Sequence, residues 1–432
     1  MTLFVFSLKF MFSYRRKYLL YNKELSNHIR VIGEEVPFVR SVSIGIYIKV
    51  GSVDETLINN GITHFIEHMF FKGTPNYTAR QLADTMSRIG GRINAYTSKE
   101  YVCFYAHVLD EHLDEVIDIL SDMIQHSNFY EEDIEKEKGI ILEEYSMYED
   151  SPEEIVLDEM HSTVWPDHAI GYNIIGTKDT IKSMNPTMLQ DYIQSRYVGD
   201  NIVISIVGKI DFEQASQKIE KAFSDIVSGE PTHRVAPIVY VPGKKAFKKD
   251  IEQGHLAISY PSINYFHEDV YGMNILSAIV GGGLNSRLFQ SIREEQGLAY
   301  SIYSYIESFY QTGLFTTYAA TSASQIPRLY EAIRGETELL LAEGITAQEL
   351  LETKEQLKSN TIIGMENMGA RMSHYGKGSL LKKHIKSMDD LIEGINNVSL
   401  DDVNRLIHET FNLNKESITL ATPNEIDIDK LG

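Results

Sequence analysis

The sequence contains a single cysteine, Cys103, among its 432 residues. One cysteine excludes an intrachain disulfide framework and any cysteine-rich zinc module, because both need several thiols. A chain without disulfides suits a reducing compartment, and we therefore expect a cytoplasmic location. Cys103 itself lies in an alternating strand pattern, which predicts a small buried side chain.

Basic residues are scarce relative to acidic ones. Lysine and arginine together number 40, against 61 aspartate and glutamate residues, and the formal net charge is -21. We therefore predict that the protein has no broad basic surface, and we expect no nucleic-acid partner. Solubility is the favoured explanation of the acidic excess, with attraction of basic substrates as the alternative.

The sequence also lacks an apolar run long enough for a transmembrane helix. The first twelve residues, MTLFVFSLKFMF, are apolar, but the basic pair Arg15 and Arg16 follows them. A secretory signal carries its basic residues first, so this order argues against one. We favour an upstream extension without function, with Met11 as the start, over a membrane anchor, and we expect no membrane partner.

A chain of this length is expected to form two or three domains, and a similar plan runs through it twice. The repeated series of one strand pattern and two helix patterns lies at 101–107, 112–124 and 131–144, and again at 314–320, 326–341 and 345–357. The agreement in order, type and length predicts the duplication of a unit of about 200 residues.

A segment punctuated by proline and glycine, 229–243, separates the two halves. It predicts a boundary that divides the chain into domains 14–235 and 236–432. Strand patterns such as 42–50 stand among long helices, which favours the α+β class. We therefore predict two homologous domains, each a mainly antiparallel sheet with helices packed on one face. Parallel βαβ layering is the alternative.

Residues 64–68 read His-Phe-Ile-Glu-His, which is an H-x-x-E-H motif. A helix places His64 and His68 on one face, where both imidazoles can reach one metal ion. Glu67 shares that side of the helix without having to be a ligand, which leaves it free to act as a base. Two ordinary histidines on a half-buried helix face are the alternative explanation.

A catalytic zinc ion needs a third protein ligand and an open position for water. Glu144 follows His68 by 76 residues in an acidic helix pattern, and Glu137 precedes Glu144 by two turns on the same face. Glu143 competes with Glu144, since adjacent helical positions face about 100 degrees apart and only one can point at the metal. The residues alone leave the two glutamates nearly tied.

With this motif and a glutamate at this separation, the sequence resembles the pitrilysin or insulinase family of zinc peptidases, particularly bacterial members similar to mitochondrial processing peptidase. The resemblance covers nearly the whole chain. It implies that His64, His68 and Glu144 bind zinc and that Glu67 activates the zinc-bound water that attacks the peptide carbonyl. Glu137 resembles the family's second acidic residue, which orients a ligand or its helix.

Two further segments resemble substrate-binding parts of that family. One resembles its substrate-binding edge strand, with Asn94, Ala95 and Tyr96 at the centre, and an edge strand can pair with an extended peptide. An internal strand is the alternative. In the second half, Arg293 and Tyr300 resemble an arginine that grips peptide carbonyls and a tyrosine that stabilises the oxyanion. A structural role for both is the alternative.

The resemblance implies a zinc-dependent endopeptidase that cleaves oligopeptides or small unfolded proteins in a chamber between facing domains. The second half has no H-x-x-E-H motif, so we expect one half to hold the metal and the other to supply substrate contacts. We also expect a homodimer in which Arg293 and Tyr300 of one subunit complete the site of the other. A non-catalytic structural or chaperone-like subunit is the alternative, because some family members have lost their metal residues.

Two other histidines, His161 and His168, flank Trp165 in a segment that we predict to be a loop. A surface or supporting role is favoured over metal ligation for both. Neither is included in the predicted metal site.

Overall fold

A computed structural model describes residues 20–229, 236–382 and 385–431. The apolar first twelve residues and the predicted domain boundary at 235 lie outside these ranges. The described strands form a six-stranded sheet in the N-terminal half and a five-stranded sheet in the C-terminal half.

The N-terminal sheet is built from β1 (Leu20–Glu24), β2 (Arg30–Glu35), β3 (Ser41–Ile48), β4 (Arg92–Thr97), β5 (Val102–Leu109) and β6 (Ile202–Gly208). The strand order is β1-β2-β6-β3-β5-β4. β2 and β6 run parallel, and the other neighbouring strands run antiparallel. Among the described strands β4 pairs with β5 alone, so β4 is an edge strand and the alternative of an internal strand is wrong.

The C-terminal sheet is built from β7 (Lys244–Lys248), β8 (Gln253–Ser262), β9 (Ser301–Ser308), β10 (Gly313–Ser322) and β11 (Ser417–Thr422). Its order, β7-β11-β8-β10-β9, repeats the order of the N-terminal sheet without β1, and its parallel pair, β7 and β11, corresponds to the parallel pair β2 and β6. The prediction of two homologous, mainly antiparallel α+β units is confirmed, and parallel βαβ layering is wrong.

The helices of the N-terminal half are α1 (Ile62–Met69), α2 (Ala79–Arg88), α3 (Leu113–His126), α4 (Glu131–Glu149), α5 (Pro152–Val164), α6 (Lys178–Ser183), α7 (Pro186–Arg196) and α8 (Phe212–Ala222). Those of the C-terminal half are α9 (Val270–Gly281), α10 (Ile326–Glu343), α11 (Ala347–Gly364), α12 (Met368–Lys377), α13 (Met388–Asn397) and α14 (Leu400–Thr410), together with a wide π-helical turn at Phe289–Glu295. Within the described ranges, no helix combines the length and the apolar character that a membrane span requires.

Side chains along β3 alternate between two cores, one on each face of the N-terminal sheet. Ile44 and Ile46 belong to the core that includes Phe65 of α1 and Ile117 of α3. Tyr47 faces the opposite side and belongs to a second core. The C-terminal sheet likewise packs one face against α9, α10 and α14 of its own half.

The other face of each sheet is covered by a helix from the opposite half. α12 lies against β3 and β6 of the N-terminal sheet, where the Ser205 hydroxyl donates a hydrogen bond to the Met372 carbonyl at 2.8 Å. α5 lies against β8 and β11 of the C-terminal sheet through Val156, Met160 and Val164. The two halves therefore exchange helices, a feature that the duplicated sequence pattern does not reveal.

A buried ionic contact joins the halves at the end of α5. His161 Nε2 lies 2.8 Å from Glu307 Oε2 of β9. Although burial lowers the pKa of His161, the carboxylates of Glu307 and Asp158 raise it to about 9. The predicted loop is wrong for His161, which belongs to α5 because the helix continues to Val164. His168 has a supporting role, since its side chain accepts a hydrogen bond from a backbone N–H in the next short helix.

Candidate active site

The helix that carries the H-x-x-E-H motif, α1, starts at an unusual cap. Its N-cap is Gly61, whose φ of 89° lies in the left-handed region that favours glycine. The carboxylate of Glu55 accepts hydrogen bonds from the backbone N–H groups of Gly61, at 2.7 Å, and Thr63, at 3.0 Å. Burial raises the pKa of Glu55 to about 7, against the effect of these bonds. A glutamate from outside the helix thus fixes the start of α1.

The structure brings His64, His68 and Glu144 together. One donor atom from each lies within 4.8 Å of the others. His64 Nε2 lies 3.7 Å from Glu144 Oε1, and His68 Nε2 lies 3.4 Å from Glu144 Oε2. Two imidazole nitrogens and one carboxylate oxygen form a donor set that suits a catalytic zinc ion. Of the residues that the structure describes, Glu143 is not part of this cluster, so the geometry favours Glu144 of the two adjacent glutamates.

Glu137 holds one of the two histidines in place. It is buried on α4, and its Oε1 lies 2.8 Å from His68 Nδ1, while Lys72 contacts its other oxygen. A carboxylate on one ring nitrogen fixes the orientation of the imidazole and leaves the other nitrogen to face a metal. The structure therefore places Glu137 behind His68 rather than among the three donor atoms.

The two histidines differ in charge. Burial and the nearby His68 ring lower the pKa of His64 to about 4. Burial also lowers the pKa of His68, but its contacts with Glu137 and Glu144 raise it to about 9. A metal needs both imidazoles neutral, so binding of an ion here releases the His68 proton.

Glu67 lies between the three predicted metal ligands and the edge strand β4. Its carboxylate accepts a hydrogen bond from the Thr97 hydroxyl at the end of β4. Burial raises the pKa of Glu67, while the Thr97 hydrogen bond opposes the increase. A carboxylate whose pKa lies above its ordinary value is better suited to accepting and returning a proton. Apart from its position in the predicted edge strand, no pattern in the sequence indicates a role for Thr97.

One backbone N–H group of the edge strand β4 is hydrogen-bonded to a side chain of the same strand. The Asn94 side-chain oxygen accepts a hydrogen bond from the Ala95 backbone N–H at 2.9 Å, so no neighbouring strand of the described chain uses that donor. Asn94 is exposed, and Ala95 and Tyr96 are half-buried. Successive side chains alternate, with Ala95 facing the core of α1 and Tyr96 facing the core of α12.

Arg293 and Tyr300 lie together in the C-terminal half. Arg293 Nη1 donates a hydrogen bond to the Tyr300 carbonyl at 2.7 Å, and its guanidinium lies 4.6 Å and 4.5 Å from the ring centroids of Phe289 and Tyr300. The Tyr300 side chain is 80% exposed. Within the described residues of one chain, neither side chain makes a contact with the metal cluster.

Comparison with protein-family models matches both halves of the chain. Residues 30–178 match the family described as insulinase (peptidase family M16), and residues 183–357 match the model described as the peptidase M16 inactive domain.

The fold is shared with solved structures. A crystal structure of a protease from Helicobacter pylori has a TM-score of 0.88 at 20% identity, covering 94% of this chain and 100% of that one. A peptidase M16 inactive domain from Pseudomonas fluorescens has a TM-score of 0.86 at 16% identity, covering 95% and 99%.

Curated relatives match over most of their length. The uncharacterized zinc protease YmxG of Bacillus subtilis is 42% identical over 89% of this chain and 94% of its own. An uncharacterized zinc protease of Streptomyces coelicolor is 36% identical over 88% and 84%, and one of Rickettsia felis is 34% identical over 93% and 97%. With both family models and these relatives covering it, the chain belongs to the insulinase family, peptidase family M16.

Proposed function

We propose that this protein is a zinc-dependent endopeptidase that hydrolyses oligopeptides or small unfolded proteins. The convergence of His64, His68 and Glu144 within 4.8 Å carries the proposal. Relatives named zinc proteases support zinc as the ion and peptide hydrolysis as the reaction. The one thiol, Cys103, is buried and suits a reducing cytoplasm as the location.

The contacts of each residue support the role that we propose for it. Zinc bound to the cluster supplies a Lewis acid that polarises water and the scissile carbonyl. Glu67 accepts the proton of the attacking water and delivers it to the leaving amine, and Thr97 holds its carboxylate toward β4. Glu137 orients the ring of His68.

The substrate binds in this proposal as an additional strand along β4. Its backbone pairs with the free edge around Asn94, Ala95 and Tyr96, and the peptide displaces the Asn94 side chain from the Ala95 N–H. Recognition of the backbone tolerates many side chains, so we expect a broad substrate range. The facing halves enclose the peptide in a chamber.

A test of the mechanism is the substitution Glu67→Gln. Glutamine keeps the size of the side chain but accepts no proton, so hydrolysis of a quenched peptide falls by about 10²- to 10⁴-fold while zinc content is unchanged. Glu143→Gln is the matched control on α4 and keeps both zinc and activity. Wild-type rates in the Glu67→Gln variant would refute the mechanism.

We further propose a homodimer in which Arg293 and Tyr300 of one subunit complete the site of the other. Within the described residues of one chain, Tyr300 is exposed, Arg293 is half-buried beside it, and neither contacts the predicted metal ligands. Arg293→Ala and Glu67→Gln are each inactive alone. When equal amounts are mixed and allowed to exchange, half of the dimers regain one intact site, which restores about a quarter of wild-type activity. If each chain completes its own site, mixing restores nothing.

The second candidate is a non-catalytic binding or structural subunit. It is favoured by the match of residues 183–357 to a model described as an inactive domain. A non-catalytic subunit cleaves no peptide with or without zinc. Zinc content, together with cleavage that a chelator abolishes, separates the two candidates.

A further inference from the structure

One cavity between the halves has no part in the proposed mechanism. It encloses about 590 Å³, a volume in the usual range for ligand sites. Tyr101 of the N-terminal half forms one wall, and Tyr271, Lys377 and Lys386 of the C-terminal half form others. Residues from both halves thus shape this space.

Two lysines of this cavity contact aromatic rings instead of acids. Lys377 Nζ lies 5.7 Å and 5.5 Å from the ring centroids of Tyr96 and Tyr101, and Lys386 Nζ lies 4.5 Å from that of Tyr271. An aromatic ring holds an ammonium group without neutralising its charge. Both lysines are half-buried, and in the parts of the chain that the structure describes neither forms an ion pair with a carboxylate.

The charge around these lysines is unusual for this protein. The chain has a net charge of -21 and 61 acidic residues, so acids are available as partners over most of its surface. Of the described residues that line the cavity, Glu268 alone is acidic, and it is exposed. The cavity is therefore a local positive site in an acidic protein, and it suits a group that carries a negative charge.

Lys377 also lies close to the edge strand. Tyr96, whose ring it contacts, faces the α12 side of the sheet, whereas Thr97 next to it faces Glu67 and α1. A peptide paired with β4 sends alternate side chains to these two faces. Directly opposed side chains in a sheet are about 5 Å apart and diagonal ones about 7–8 Å, so a peptide side chain beside Tyr96 comes within reach of the Lys377 ammonium group.

We propose that Lys377 is a specificity-determining residue that binds an acidic side chain, aspartate or glutamate, of the peptide on β4, with the adjoining cavity as its subsite. This inference rests on the proposed peptidase and names a preference of its substrates. The carboxylate forms a charge-assisted hydrogen bond with Lys377, and the Tyr96 and Tyr101 rings hold the ammonium group in position.

The test uses quenched peptides in which each position around the cleaved bond is in turn Glu, Gln or Lys. We expect the wild-type chain to prefer Glu over Gln by about tenfold in kcat/KM at one position facing α12, with no such preference at the two adjacent positions, which face α1. Lys377→Gln reduces the preference to less than twofold, and Lys377→Glu favours Lys at the same position. Lys221→Gln, an exposed lysine of α8, keeps the wild-type preference.

Failure of the inference is distinct from failure of the proposed function. Cleavage without a Glu preference at any position, or a preference that survives Lys377→Gln, overturns the inference and leaves the peptidase intact. If the wild-type chain cleaves none of the peptides, the proposed function fails, and fluorescence anisotropy with labelled Glu and Gln peptides still tests the subsite. Equal Kd values for the two peptides then overturn it. The wild-type peptide series remains decisive if the Lys377 variants do not fold.

Discussion

Substitution of Glu307 by glutamine should weaken the contact between the two halves by several kcal/mol. Glu307 lies 2.8 Å from His161 across the interface, and both belong to a buried cluster. Removing one partner from a buried ion pair costs about 3–5 kcal/mol. Against the effect of burial, Glu307 and Asp158 together raise the pKa of His161 from its ordinary 6.5 to about 9, which corresponds to about 3 kcal/mol, the lower end of this range.

The sign of the pH dependence follows from the raised pKa. The folded chain binds the His161 proton more tightly than the unfolded chain does, and this tighter binding stabilises the fold. The stabilisation is complete below a pH of about 6.5 and is lost as the pH rises through about 9. Although burial raises the pKa of Glu307, His161 lowers it below its ordinary value, so Glu307 stays ionised across this window. The wild-type chain therefore loses stability between these pH values, and Glu307→Gln, in which Asp158 still raises the pKa of His161, loses less.

Urea unfolding followed by tryptophan fluorescence measures this contact directly. Trp165 is the single tryptophan, and its ring stacks on His161 with centroids 5.6 Å apart. We expect the variant to unfold at lower urea than the wild type at pH 6.5, and the difference to shrink at pH 9.5. Glu331→Gln, on the exposed side of α10, is the control. A loss below about 1 kcal/mol at pH 6.5, or an equal loss at both pH values, would show that the pair does not stabilise the interface as argued.

Three further substitutions test the active site and its helix. Glu137→Gln lowers zinc affinity by about 10- to 100-fold in a competition with a chelator, because His68 loses its anionic partner. An unchanged zinc affinity contradicts this role of Glu137. Thr97→Val lowers kcat by about tenfold with zinc retained, whereas Thr97→Ser keeps the hydroxyl and the rate; equal loss in both would point to packing instead. Gly61→Ala lowers the thermal stability of the fold by more than Gly90→Ala does. Both glycines have a positive φ, so each substitution brings a left-handed strain of about 1–2 kcal/mol. Only at Gly61 would the added Cβ also meet neighbouring backbone.

The sequence identified the parts of the fold that depend on local patterns. Alternation of apolar residues indicated β3, β5 and β10, and the repeated order of strand and helix patterns indicated two similar sheets, because period and order are local properties. The H-x-x-E-H motif likewise encodes its geometry within one helical turn. The resemblance then supplied Glu144, which the residues alone left nearly tied with Glu143.

The features that the sequence did not indicate depend on distant parts of the chain. No local sequence pattern indicates that Glu55 caps α1, because the Glu55 side chain reaches across the intervening turn to the start of the helix. The buried His161 is paired with Glu307, 146 residues later in the chain. The sequence predicts a loop for its segment because Trp165 and a proline follow it. Long-range partners of this kind leave no periodic signal in one sequence.

The exchange of α5 and α12 has a consequence for how the protein is made. The face of the N-terminal sheet that includes Ile32, Tyr47 and Val203 receives its cover from α12, more than 150 residues further along the chain. During synthesis that apolar face is exposed to solvent until the ribosome has completed most of the C-terminal half. The metal-binding half therefore reaches its mature form only when nearly the whole chain has emerged, and a shortened product lacking α12 would be a target for chaperones or degradation.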